Sequence, residues 1–520
     1  DELAGALAGH YLAAQQNAAE GPEADALAVQ ARLALRGAAE RAAALGSHEQ
    51  AVTFLLQALT VTTDPADEAE LLERAGESAA IAAHHEQAES LLRRAVELQR
   101  ARGDRPGTAR TIAVLGRTLL SARQVGEGLA LLEAAASEFA DLGADPSRVR
   151  LEGQLARAYY LHDEPAHAAE VAERVDDAAE HGDLLDILAD TLVTRGSALG
   201  QMGRLREGVG TIEIGERIAR EFDFPDTLMR ALNNRSVSQA ETDPVAALEA
   251  TRDGLALARR LGDRRWMLSF SSNVGNNAMV TGDWDGALAV LEEALASDPG
   301  PADGALLLDN AISVRALRGE PVEAAIGQLE AMVAGADPLL RGFVNDVRAT
   351  AAFAAGRLTE AREECLHMTE GALSWRPLAF YMRARAALWM GDAASARADA
   401  AGLEASDIHG SSATARHATI RAGLAALEGE VDHALAGYRD ALRRWSDLGL
   451  LWDQALCAID MATLLNPAQP DVAAAGEAGR EILTRLGARP FLERLEMALV
   501  RSTAATEPLR PATRESAPAT

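Results

Sequence analysis

The chain has 520 residues, a mean hydropathy of -0.07, 50 basic against 78 acidic residues and a net charge of -28 at pH 7. So acidic a surface repels phosphate backbones, which excludes nucleic acid as the expected partner, and it keeps an extended repeat protein in solution. All 50 cations are arginine, which excludes a Schiff-base or phosphate-loop lysine within these residues, and no run of about 18 apolar residues is present to span a membrane.

Residues 1–20 read as a helix. The opening Asp1-Glu2-Leu3-Ala4-Gly5 has no initiator methionine, basic region or apolar stretch, so no secretory signal is expected; the helix reads as a link from a preceding domain of a longer chain. From 21 to 500 helix formers dominate, aromatics make up only 4%, and a small residue recurs near the start of a helix. These anchors are Ala51, Ala88, Gly128, Ala168, Gly208, Ala247, Ala287, Ala324, Ala361, Ala396, Ala434 and Ala474, separated by 35 to 40 residues. A period in this range predicts an all-α, right-handed superhelical solenoid of about twelve helical hairpins, each touching only its neighbours. Proline interrupts the stack at Asp298-Pro299-Gly300-Pro301 and Asn466-Pro467-Ala468-Gln469-Pro470, where softer joints are expected. Cys365 and Cys457 stand too far apart in sequence to suggest a disulfide framework, which points to a reducing, cytoplasmic compartment. Residues 501–520, rich in Thr, Pro, Ser and Ala, read as a disordered tail.

The clearest unit is SSNVGNNAMVTGDWDGALAVLEEALASDP, Ser271 to Pro299. Its first helix should end at Thr281-Gly282-Asp283, where glycine supplies a left-handed turn and aspartate starts the next helix. Ala287, Leu291 and Ala294 then form one stripe on the second helix, opposite Gly275 on the first. Gly275, Gly282, Ala287, Leu291, Ala294 and Pro299 resemble the tetratricopeptide repeat position by position. Other units depart from it: Gly128 and Gly208 stand at the alanine site, and the sixth turn reads Glu241-Thr242-Asp243-Pro244 without glycine. The units are also longer than the usual repeat of about 34 residues.

A wider resemblance rests on His10-Tyr11-Leu12, Ala38-Ala39-Glu40-Arg41-Ala42, Leu45-Gly46-Ser47, Ala231-Leu232-Asn233-Asn234, Arg260-Leu261-Gly262-Asp263-Arg264, Gly282-Asp283-Trp284-Asp285 and Leu486-Gly487-Ala488-Arg489-Pro490. These phrases resemble the C-terminal repeat arm of bacterial class III adenylate/guanylate cyclases that carry a central AAA-type ATPase, an arm also found in large LuxR-type ATPase regulators. The resemblance implies a non-catalytic regulatory arm, with ATPase and cyclase domains upstream. Its partner would be a protein or peptide in the concave groove, or those upstream domains. A stand-alone adaptor and the sensor arm of a transcriptional regulator are the alternatives.

No motif for catalysis, cofactor or metal survives inspection. His48-Glu49-Gln50-Ala51 and His85-Glu86-Gln87-Ala88 lack the second histidine of a metalloprotease helix and read as one structural position seen twice. Of His162, His167 and His181, the first two do not share a helix face and bracket the Pro165 turn as exposed polar residues, and Cys365 with His367 is too sparse for zinc. Gly410-Ser411-Ser412 lacks the setting of a nucleophile elbow, and Gly126-x-Gly128 and Gly208-x-Gly210 lack the third glycine of a dinucleotide fingerprint. Asp176-Asp177 and Glu292-Glu293 read as solvated helix faces. One constellation stands out. Asn233, Asn234, Asn273, Asn276 and Asn277 lie in the first helices of two adjacent units, although asparagine is a poor helix former. Amides there can hold the backbone or terminal carboxylate of a peptide, with Arg264 and Trp266, just before the seventh first helix, adding charge and a stacking surface. The alternative is that these amides bond neighbouring turns. Trp284 is expected to pack at the turn, while Trp375, Trp389, Trp445 and Trp452 are expected to seal the C-terminal end or to dock a partner.

Overall fold

The computed structural model describes residues 2–334, 338–370, 375–406 and 409–501. Of the expected tail, Arg501 closes the last helix and the remainder lies outside the described residues. Among the described residues there are 26 α-helices, one short 3₁₀ turn and no strand. A leading helix, Glu2–Asn17, is followed by alternating first (A) and second (B) helices of twelve hairpins, and Arg489–Arg501 ends the series. Representative hairpins are Pro65–Ile81 with His85–Ala101, Leu185–Gln201 with Leu205–Glu221, Arg264–Thr281 with Trp284–Leu295, and Leu451–Leu464 with Pro470–Leu486. The repeats form a tetratricopeptide-like, all-α architecture.

Local chemistry sets the helix starts. Asp64 and Asp145 accept from the backbone N–H groups of the first turn while Pro65 and Pro146 occupy positions whose N–H would have no partner. Asp283 caps in the same way, accepting from Gly286 N at 3.2 Å. Pro301 and Pro470 likewise open helices rather than interrupt them.

Ten of the twelve anchors sit, fully buried, at the fourth residue of a B helix. The reason is close helix crossing. A Cβ added to Gly275 would lie 2.6 Å from Leu291 Cδ2, and one on Gly116 would lie 2.6 Å from Leu132 Cδ2. At the fifth hairpin both partners are glycine, and a Cβ on Gly196 would lie 2.5 Å from the Gly208 carbonyl oxygen. Ala324 and Ala474 depart from the expected register: both are exposed. Glu323–Met332 starts one residue before Ala324, so Val322 and Leu329 face inward there; in Pro470–Leu486 the inward set is Val472, Ala475 and Gly476. Asp176 is a second correction. It is buried rather than solvated, and burial raises its carboxyl to about 7 against the pull of Arg195.

Consecutive A helices pack on one another more closely than consecutive B helices do, so the A helices make the inner layer of each stack. The chain divides into two compact units, 1–238 with 256–263, and 239–255 with 264–520. In the first, the leading helix packs on the first hairpin through Ala8 and Leu12, and arginine–carboxylate pairs tie one A helix to the next, as Arg110 does with Glu73 at 2.7 Å. In the second, Leu451–Leu464 and Arg489–Arg501 return onto earlier A helices. Trp452 meets Trp284 at 5.3 Å and Phe491 at 4.8 Å, and Phe353 stacks on Trp389 at 4.8 Å. The tryptophans are therefore spread through the interior of this unit: Trp284 and Trp445 are buried, and Trp375 packs edge-on to Phe343.

Two substitutions test the crossing and the turns. Gly196→Ala should destabilise the chain by about 1–3 kcal/mol despite its better helix propensity, because the clash is with backbone. Ala83 holds the left-handed turn of the second hairpin at φ 62°, where Gly282 serves the seventh at φ 89°. Ala83→Gly should therefore stabilise by about 1 kcal/mol, read by urea denaturation.

Candidate partner-binding site

The singled-out residues fall into two groups, one in each unit. In the first unit, Asn233 and Asn234 lie half-buried on the A helix Pro225–Gln239. Asn233 Nδ2 donates to Asn234 Oδ1 at 3.1 Å, and Asn234 Nδ2 donates to Ser197 Oγ at 2.9 Å on the preceding A helix. One turn earlier, buried Arg230 pairs with Asp190 Oδ1 at 2.7 Å and donates to Thr194 Oγ1 at 3.0 Å. Burial works to raise the Asp190 carboxyl, yet Arg230, Arg157 and Arg117 together hold it below its ordinary value. Tyr160 stands against Ser197, Arg230 and Arg157, its hydroxyl pushed up by burial. The inner face therefore carries adjoining amides, hydroxyls and guanidinium groups, donors suited to carbonyl and carboxylate oxygens. Sequence inspection missed Ser197, Arg230, Asp190 and Tyr160. The signal was available for Ser197, which precedes Asn234 by 37 residues, one repeat.

In the second unit, Asn273, Asn276 and Asn277 lie on Arg264–Thr281; Asn276 is exposed and Asn277 is buried. Arg264 and Trp266 do not precede this helix but form its first turn. Arg264 donates to the carbonyls of Ser297 at 2.7 Å and Asp298 at 2.8 Å, tying down the end of the hairpin. Trp266 is buried and stacks on Phe270 at 5.4 Å, with Arg265 over its ring at 4.8 Å. The inner face of this unit is partly covered by its own C-terminal helices. Arg385 and Asp460, both almost wholly buried, pair at 3.2 Å; Trp389 Nε1 donates to Asp460 Oδ1 at 2.6 Å and Tyr381 donates to Asp453 at 3.0 Å. Burial pushes the Asp460 carboxyl up, opposed by Arg385 and the indole N–H.

The remaining candidates are structural in surroundings. His48 and His85 open two B helices at the same repeat position. His162 and His167 are exposed and both bond Glu164, at 3.0 and 2.8 Å. Cys365 and Cys457 are buried free thiols. Among the described residues no group of three or more His, Cys, Asp or Glu could hold a metal ion, and no helix is long and apolar enough to cross a membrane.

Fold and inner polar face together define a tetratricopeptide-like helical-repeat protein. No protein-family model and no curated protein matches the chain. Among solved structures it is similar to a Rap protein complexed with competence and sporulation factor, at 14% identity over 70% of this chain and 94% of that one, TM-score 0.43. It is also similar to yeast Tom70, at 12% identity over 92% and 97%, TM-score 0.35. A third is the set of nearly identical TPR-like repeats of a kinesin light chain from Podosopora anserina, at 20% identity over 36% and 94%, TM-score 0.31.

Removing one member of the closing ion pair leaves a buried, uncompensated guanidinium. Asp460→Asn should cost about 3–5 kcal/mol of stability, measured by chemical denaturation, whereas Asn276→Ala on the exposed surface should change stability by less than about 0.5 kcal/mol.

Proposed function

We propose that the chain is a non-catalytic, protein- or peptide-binding regulatory arm of a multidomain signal-transduction ATPase, of the adenylate/guanylate cyclase type, acting in the cytoplasm. The observation that carries the binding role is the polar row on the inner layer of the first unit, where half-buried Asn233 and Asn234 adjoin Tyr160 and the buried Ser197 and Arg230. Solenoids present such inner faces as extended binding surfaces. Paired amide donors and acceptors suit an extended peptide backbone, and the neighbouring guanidinium suits a carboxylate. Asn276, exposed on the second unit, is proposed as a further contact. The parent assignment is supported by the run of arm-like phrases from His10-Tyr11-Leu12 to Arg489-Pro490, and the upstream ATPase and cyclase domains are the proposed intramolecular partners.

Two experiments test this reading. A displayed peptide library panned on the chain should yield binders whose affinity falls at least about tenfold in the Asn233→Ala, Asn234→Ala double variant, with helicity by circular dichroism unchanged. Undiminished binding would remove the inner-face site. The coding DNA upstream of Asp1 should encode a G-x-x-x-x-G-K-[ST] phosphate loop preceded by a cyclase domain. A start codon directly before Asp1 with a stop after Thr520 would leave an adaptor instead.

A further inference from the structure

In the second unit, buried carboxylates are matched by arginine. Asp399 is held by Arg383 at 2.9 Å and Arg362 at 3.0 Å, and Asp460 by Arg385 at 3.2 Å. Asp309 and Asp346 are the exception. They are 7% and 8% exposed, each has a buried Oδ1 without a hydrogen-bond partner, and among the described residues no arginine pairs with either. Burying a lone carboxylate in this way is costly unless the group stays neutral.

Their placement follows from the repeat. Residues about one period apart on neighbouring A helices face each other: Asn310 Nδ2 reaches Ser272 Oγ at 3.4 Å, and Thr419 Oγ1 lies 3.5 Å from Cys457 Sγ, each pair 38 residues apart. Asp309 on Pro301–Leu317 and Asp346 on Pro338–Ala354 stand 37 residues apart on packed A helices, and Asp346 acts electrostatically on Asp309. Ser313 Oγ, one turn after Asp309, is also buried without a partner.

The charged groups on the surrounding helices are committed elsewhere or exposed. On Arg376–Met390, Arg383 is bound to Asp399 and Arg385 to Asp460. On Arg264–Thr281, Arg264 is bound to the Ser297 and Asp298 carbonyls and Arg265 lies over Trp266. On Pro301–Leu317 and the helix Trp284–Leu295, Arg315 pairs with Glu292, Asp285 pairs with Arg318, and Glu293 and Asp303 are exposed. On Glu323–Met332 and Pro338–Ala354, Glu330 holds Arg348, while Glu323 and Arg341 are exposed. On the helix Leu358–Glu370, Arg362 is committed to Asp399, Glu364 lies 4.0 Å from Arg348, Glu360 holds Arg357, and Glu363 and His367 are exposed. Its Cys365 thiol senses Asp346 and carries no positive charge. On Arg489–Arg501, Arg489 reaches toward the Arg318 carbonyl, Arg494 lies over Trp389, Glu496 holds Arg480 and Glu493 is exposed.

We propose that Asp309 and Asp346 form a proton-holding carboxyl pair, which makes the packing of the eighth hairpin on the ninth a pH-sensitive joint that tightens on acidification and loosens as pH rises. Burial pushes Asp346 up to about 7 and, with the Asp346 charge, pushes Asp309 well above the usual carboxylate range. Because the folded state keeps a proton that the open state releases, stability falls as pH rises from the ordinary carboxylate value toward about 7, and for Asp346 it levels off above that.

The test is amide hydrogen exchange of the full chain, corrected for intrinsic rates, read over Pro301–Leu317 and Pro338–Ala354. Between about pH 5 and about pH 7.5 opening of these helices should become at least about tenfold more frequent in the native chain. Asp346→Asn and Asp309→Asn, which mimic the neutral form, should flatten that dependence and protect the joint at the higher pH. Infrared spectra near neutral pH should show a protonated carboxyl band that either variant diminishes. A pH dependence unchanged in the variants, or no protonated band to lose, would overturn the proposal. So would stabilisation of the native chain, but not of the variants, by added magnesium or calcium, since a bound cation would then replace the proton.

Discussion

Everything else in this chain depends on how closely the two helices of a hairpin can cross. At the fourth residue of ten of the twelve B helices the A helix comes so near that the site holds alanine or glycine, and in several hairpins the bulky residue four positions later covers a glycine on the A helix, as Leu291 covers Gly275 and Leu132 covers Gly116. A larger side chain at either point would separate the helices and forfeit the dispersion contacts on both sides. Because the constraint recurs once per repeat, it sets the spacing that brings position n of one A helix opposite position n plus about 37 on the next. That register then decides which polar groups meet: Asn234 with Ser197, Asn310 with Ser272, Asp309 with Asp346.

The same architecture is used differently in the two units. In the first, polar side chains of the inner layer bond along the stack while Asn233 and Asn234 remain half-accessible, which suits recognition of an extended chain. In the second, the hairpin Leu451–Leu486 and the helix after it bring Trp452, Phe491 and Asp460 against Trp284, Phe353, Trp389 and Arg385. A solenoid's end would otherwise leave an apolar face in water; here aromatic stacking and a hydrogen-bonded ion pair cover it.

Several features were legible before any coordinates. The hairpin of Ser271–Pro299 follows its sequence pattern to the residue, including the left-handed Gly282 and the capping Asp283, because those signals act within a few residues of chain. The asparagines also stood out, since a residue that weakens helices needs a reason to recur in them. Where the reading slipped, the cause was context. Alanine is so common here that Ala324 and Ala474 satisfied the period while facing solvent, and Asp176 looked like any acidic residue on a helix although it is buried. Arg264 and Trp266 resembled a loop beside the site but form the first turn of a helix and pack within it.

By itself the sequence determined the all-α class, the hairpin period, the helix starts and the turn chemistry, because small residues, caps and prolines act locally and repeat. Tertiary structure alone decided which carboxylates lose their water, which arginines reach them, and which aromatic side chains meet from hairpins far apart in the chain. Those outcomes depend on burial and on the summed packing of many helices, and no single residue or spacing encodes them.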